Sequence, residues 1–118
     1  MKNTELPVAI IGAGPVGLAA AAQLVSRGLT PMIFERGASV GASLLEWSHV
    51  RVFSPWAYNI DAAARALLTA EGWQAPEPTA LPTGGEIEMR YLRPLAAVSA
   101  IAGALRLVRP FLTRAALV

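Results

Sequence analysis

Residues 7–35 read PVAIIGAGPVGLAAAAQLVSRGLTPMIFE, and the order of residue types in this stretch governs the reading of the whole chain. Val8 to Ile11 is a continuous apolar run, the pattern of a parallel strand covered on both faces. Gly12-Ala13-Gly14-Pro15-Val16-Gly17 follows without a spacer and supplies the G-x-G-x-x-G spacing. In that spacing the first glycine permits a tight turn out of the strand. The second admits a phosphate close to the backbone, and the third lets the next helix pack near the strand. Pro15 sits where a helix begins, with its φ already suited to the helix and its missing N–H no loss.

From Pro15 to about Arg27 the residues are mostly Ala, Leu and Val, good helix formers small enough to lie close on a sheet, and Gly28 is the natural stop. The start of this helix has no acidic side chain to occupy it. Its unpaired N–H groups and dipole favour an anion, the dipole by about 0.3–2 kcal/mol. Thr30 to Phe34 reads as a second apolar strand, and Glu35 closes it. An acid at that distance from the glycines accepts hydrogen bonds from the ribose hydroxyls of an adenosine and repels a 2′-phosphate, which disfavours NADP there. A glycine-rich turn alone also serves purely structural ends, and Glu35 alone could be a solvated strand-end acid. Strand, turn, helix, strand and acid in this order together imply a βαβ unit holding a dinucleotide.

The 118 residues are the size of one domain, able to bury about two-thirds of the unfolded surface. With 54% hydrophobic and 15% charged residues the composition is that of a globular protein, not a disordered one. A net charge of +2 with scattered arginines gives no footprint for nucleic acid. The absence of cysteine excludes disulfides, thiolate metal sites and a redox dithiol, and it fits a cytoplasmic protein. No signal peptide is expected in the polar lead-in Met1 to Leu6. Neither apolar window, Val8 to Val25 or Leu95 to Leu105, reads as a membrane span. The first is broken by glycine and proline, and the second is shorter than the roughly 20 residues required.

After Glu35, the stretch Arg36 to Leu45 reads as a loop that tightens into a turn of helix near Ser43. Arg36 could stack on an adenine, offset the phosphates or remain a solvated surface arginine. Two tryptophans, Trp47 and Trp56, with Phe53 and His49 suggest either a wall for a flat ring or a small core. His49 has no placed nucleophile or acid and is expected packed or hydrogen-bonded; Arg51 faces a phosphate or pairs with Glu46. No residue stands out as catalytic. Residues 62–72 read as a helix capped by Asn59 or Asp61 and ended by Gly72, with an apolar face at Ile60, Ala64, Leu67 and Leu68. Trp73 to Pro82 is an extended connector. Thr83 and Glu86 have capping-box spacing for a helix through Tyr91, which Pro94 should kink or end. Leu95 to Gly103 follows as another helix and Leu105 to Val108 as a third strand. Pro110 then interrupts the pattern, and Phe111 to Val118 is ambiguous.

The chain resembles the N-terminal portion of the two-dinucleotide-binding-domain flavoproteins, the group of flavin-containing monooxygenases and thioredoxin reductase-like enzymes. The resemblance rests first on Gly12, Gly14, Gly17 and Glu35. It continues in Gly41-Ala42-Ser43-Leu44, which matches a G-G-x-[LW] element with Ala42 in place of glycine, in Val52-Phe53-Ser54-Pro55, and in Glu88 to Ala96. It implies that the glycines of the 12–17 turn, Gly12, Gly14 and Gly17, with Ala13, Pro15 and Val16 between them, hold the pyrophosphate of FAD, that Glu35 holds the adenosine ribose, and that the element containing Ser43 and Leu44 stands beside the flavin. It also implies NAD(P)H as electron donor in a complete enzyme, whose second nucleotide domain and closing segment this chain lacks. The fold expected is therefore α/β, a Rossmann-like βαβ unit with a partial parallel sheet and additional helices, spanning 1–118 as one incomplete domain. The function expected is the FAD-binding portion of a flavoprotein oxidoreductase or monooxygenase, inactive alone and with no metal. The alternatives are a dehydrogenase-type NAD domain and a non-catalytic remnant whose exposed sheet edge associates with another chain.

Overall fold

The computed structural model describes residues 6–108; Met1 to Glu5 and Arg109 to Val118, with the expected break at Pro110 and the segment Phe111 to Val118, lie outside the described residues. The stretch 7–35 folds as its pattern dictates. Strand β1 (Val8–Ile11), helix α1 (Pro15–Ser26) and strand β2 (Pro31–Glu35) form a βαβ unit, and β3 (Leu105–Leu107) adds to the far side of β2. All pairings are parallel, in the order β1-β2-β3, with Ile10 opposite Ile33 and Ile33 opposite Leu105.

These three register partners lie on one face of the sheet. On that face α1 packs through Leu18, Ala21 and Ala22, which share a core with the fully buried Ile33. The alanine run matters for packing as much as for helix propensity, because small side chains let α1 settle close to the strands. At Gly17 the approach is tightest: a methyl group would collide with the carbonyl oxygen of Gly12 and lie 3.3 Å from Ile10 Cγ2. The opposite face is open. Ala9 is exposed and Ile11 is 84% exposed, so β1 is covered on one face and not on both as its apolar run suggests. The physical reason is helix placement: α1 packs on the face of Ile10 and Ile33, and no described helix packs comparably on the face of Ala9 and Ile11.

A further layer covers α1. Helix α4 (Ala62–Ala70) buries Ala64 and Leu68 against it, and Asp61 is the cap, its carboxylate accepting from Ala64 N at 3.0 Å. The same carboxylate accepts from Gln23 Nε2 of α1 at 3.1 and 3.3 Å, so one side chain both starts α4 and pins it. Between α1 and α4 the chain forms two short turns of helix, α2 (Ala42–Leu45) and α3 (Trp56–Asn59). The connector to Pro82 has no regular element.

The second half departs from the expected breaks. Thr83 and Glu86 form the reciprocal capping box, Glu86 N donating to Thr83 Oγ1 at 3.1 Å and Thr83 N to Glu86 Oε1 at 2.9 Å, and start α5 (Gly84–Ile87). Helical structure then runs past Pro94 through a widened π-helical turn (Glu88–Leu92) into α6 (Arg93–Ala97). Pro94 has no N–H for the carbonyl of Arg90, four residues back, and the indole Nε1 of Trp73 donates to that oxygen at 2.9 Å instead. The wide turn and this substitute donor explain why proline does not end the helix. The true break is at Val98, with ψ of 148°, which splits the expected 95–103 helix into α6 and α7 (Ser99–Ala102).

The close contact at Gly17 makes a graded test of the βαβ packing. Gly17→Ala should lower unfolding stability in urea by about 1–3 kcal/mol. Gly103→Ala, where an added methyl meets nothing within 4 Å and φ is −80°, should be neutral or stabilising by up to about 1 kcal/mol.

Candidate dinucleotide-binding site

The site is the corner where β1 ends and α1 begins. Gly12, at φ 100°, turns the chain out of the strand, and its amide donates to Phe34 O at 2.7 Å. Ala13 is fully buried. Its N–H donates to Glu35 Oε1 at 2.8 Å, and its carbonyl accepts from Gly41 N at 2.9 Å. The other oxygen of Glu35 accepts from Gly37 N at 2.7 Å. Three segments, the glycine turn, the end of β2 and the loop to α2, are thus tied together through one carboxylate and the backbone of one residue, Ala13.

Beyond this knot the start of α1 stays bare. Gly14 is the cap residue in extended conformation; no side chain caps the helix and no acid stands in its first turn. Leu18 N makes the first helical bond, to Gly14 O at 3.0 Å. Among the described residues nothing accepts from the amides of Gly14, Val16 and Gly17. A methyl group on Gly14 would meet nothing within 4 Å, so the space in front of the turn is open. Unpaired amides, a positive helix end and room for a group of phosphate size fit a diphosphate. Glu35 is half-buried, and each of its oxygens keeps lone-pair capacity for a ribose hydroxyl.

The expected site residues fall into distinct groups. Gly12, Gly14, Val16, Gly17 and Glu35 converge on the corner, and Pro15 is exposed at its rim. Ala13 lies in the turn, fully buried, with its amide and carbonyl both hydrogen-bonded within the protein. Leu44 is buried in the hydrophobic core. Arg36 and Ser43 are exposed. Ala42, the departure from the glycine pair, is accommodated by Gly37, where any Cβ would fall on the Ala42 methyl.

The aromatic segment divides. Trp56 is buried in the core under the Arg90 guanidinium, 5.7 Å from its ring centre, and Trp47 is half-buried against Gly84, while Phe53 is 99% exposed. His49 is exposed, not packed as expected, because its loop lies on the surface. Arg51 pairs with Glu86 at 4.0 Å and donates to the Leu81 carbonyl, leaving Glu46 aside. No group of acidic, histidine or cysteine side chains among the described residues could hold a metal. The knot through Glu35, Ala13 and Gly41 was not foreseen; glycines at 37 and 41, flanking the loop that must pass so near the turn, are its trace in the sequence.

A family model described as NAD(P)-binding Rossmann-like domain matches residues 10–75, more than half of the chain. The chain belongs to this family. This Rossmann-like domain is also similar in fold to larger proteins of known structure. One is an oxidised steroid monooxygenase bound to NADP, at 27% identity over 85% of this chain with a TM-score of 0.61. Another is OTEMO in complex with FAD and NADP, at 21% identity over 90% of the chain and a TM-score of 0.61. A third is the bacillithiol disulfide reductase Bdr (YpdA) from Staphylococcus aureus, at 22% identity over 88% of the chain and a TM-score of 0.56. The Rossmann-like chain spans 19% of the first two and 28% of the third. No curated protein sequence matches it. The expected resemblance to flavoproteins is borne out, and no described helix is long and apolar enough to cross a membrane.

The double acceptance by Glu35 gives this residue a role in the unliganded fold. Glu35→Gln puts an amide NH₂ where one backbone N–H now finds an acceptor and should lower stability by about 1–3 kcal/mol in urea unfolding without ligand. Unchanged stability would show the carboxylate does not hold the turn.

Proposed function

We propose that this chain is the FAD-binding portion of an NAD(P)H-dependent flavoprotein oxidoreductase or monooxygenase, and that by itself it holds the ADP half of FAD. The observation that supports this most is the Glu35 carboxylate drawn up to the glycine turn, 2.8 Å from Ala13 N, beside the bare amides of α1. In this reading the pyrophosphate accepts from Gly14, Val16 and Gly17, and the adenosine ribose donates to Glu35. Gly12, Ala13 and Pro15 shape the turn, and Arg36 and Ser43 line its exposed approach. When bound, FAD supplies hydride and electron chemistry that these side chains lack. What the chain contributes is position: it fixes one end of the cofactor and excludes a 2′-phosphate from the acid.

The family description favours a second reading, in which the same corner holds NAD. Both cofactors share the ADP half that Glu35 and the glycine turn would recognise. In this reading residues 1–118 form one incomplete domain. The open edge of β1 is then the place where another strand or chain associates, and the cysteine-free composition is taken to suit the cytoplasm.

Titrating the purified chain with FAD should quench flavin fluorescence, and ADP should compete. Gly14→Val should fold like the parent, since nothing lies within 4 Å of the added Cβ, yet lose FAD affinity by at least about tenfold as the side chain enters the phosphate space. Parent-like affinity in that variant would remove the corner as the site. Binding of NAD without FAD would select the second reading.

A further inference from the structure

We propose that the groove between the C-terminal ends of α4 and α6 binds a small methylated ammonium ion. The groove encloses about 320 Å³ between the turn that closes α4, Glu71 to Trp73, and the end of α6 from Pro94 to Val98. No residue of the glycine corner or of the expected dinucleotide site lines it. It lies at the end of α4 opposite the Asp61 cap, so it stands or falls independently of the cofactor reading.

Charge selects a cation. Glu71 Oε2 accepts from Ser99 N at 2.9 Å and from Ser99 Oγ at 2.8 Å, while Oε1 meets no donor among the described residues. These bonds, the backbone one foremost, hold the Glu71 carboxyl below its ordinary pKa, so it is charged at neutral pH. No ion pair among the described residues involves it. Arg93, next to the groove in sequence, is committed to Glu88, and Arg90 lies over the Trp56 ring. The negative end of the α4 dipole also opens here, and neither α4 nor α6 has a basic residue in its last turn. No lysine, arginine or histidine lines the groove to balance this charge.

Hydrogen bonding selects a methylated one. Leu68 O already accepts from the amides of Glu71 and Trp73, Thr69 O from Gly72 N and Leu95 O from Val98 N. An ammonium bearing several N–H groups would leave water for a groove whose carbonyls are largely engaged. A methylated ammonium has no such donors and needs only apolar contact within a negative field. Leu68, Trp73, Pro94 and Val98 supply that contact. Trp73 is half-buried, and its Nε1 donates to Arg90 O at 2.9 Å, which fixes an aromatic ring at the wall where a cation gains most from one.

The test is an NMR titration of the ¹⁵N-labelled 118-residue chain, at constant ionic strength, with three probes of similar shape: tetramethylammonium, neutral tert-butanol and anionic pivalate. Tetramethylammonium should shift the amides of Glu71, Gly72 and Val98 and the Trp73 indole N–H saturably, with the other two at least about threefold weaker. Glu71→Gln keeps an oxygen for Ser99 and removes the charge, so it should weaken tetramethylammonium about three- to tenfold and leave tert-butanol unchanged. Ala97→Leu, at the exposed end of α6, fills the groove and should abolish the shifts. Parent-like tetramethylammonium affinity in either variant overturns the proposal. So does an equal loss of tert-butanol binding in Glu71→Gln, which would mark a structural effect in place of a charge. Equal or tighter binding of tert-butanol or pivalate by the parent, or no saturable shift at these positions, overturns it as well.

Discussion

One hydrogen bond, from the amide of Ala13 to the carboxylate of Glu35, joins the two strands of the βαβ unit at the end where its ligand would lie. It constrains more than a ligand-binding acid would. A carboxylate near a helix start competes with any incoming anion for the same amides. Here Glu35 takes the amide of Ala13, which sits behind the turn and is fully buried, and leaves those of Gly14, Val16 and Gly17 clear. The geometry separates the donor that organises the loop from the donors that face outward. The same acid can therefore serve structure and recognition without blocking the phosphate position.

The surrounding packing follows from this corner. Gly41 approaches Ala13 closely enough to donate to its carbonyl, and any side chain on Gly41 would press on Glu88 and Leu92 of the π-helical turn. Glu88 is 1% exposed and is met by Arg93 through two bonds, Nη2 to Oε1 at 2.8 Å and Nε to Oε2 at 3.1 Å. A buried acid without such a partner would carry a large desolvation cost. The wide turn, the ion pair and the glycine turn are thus neighbours through Gly41, and the second half of the chain buttresses the first.

What could be read from the residues was what local chemistry dictates. Gly12 to Gly17, the stop at Gly28, the cap at Asp61 and the capping box at Thr83 each follow from a backbone requirement that a short stretch reveals. What escaped reading was set by distant partners. The apolar run of β1 looks the same whether one face is covered or two, because coverage is decided by helices elsewhere in the chain. Phe53 and Trp56 lie three residues apart with similar character, yet one is fully exposed and the other buried. His49 carries no mark in its neighbours to show that its loop lies outside. The pin formed by Ala13 depends on a contact with Gly41 that no local pattern encodes.

The junction at Arg90 has a consequence for how the chain assembles. A proline inside a helix usually leaves the segment weaker than its neighbours, and here the deficit is made good by an indole seventeen positions earlier in the chain. Continuity between residues 84 and 97 is therefore a property of the collapsed molecule. Cut out as a peptide, that stretch would lose the donor that lets it bridge its proline, and its helicity would come only when Trp73 arrives.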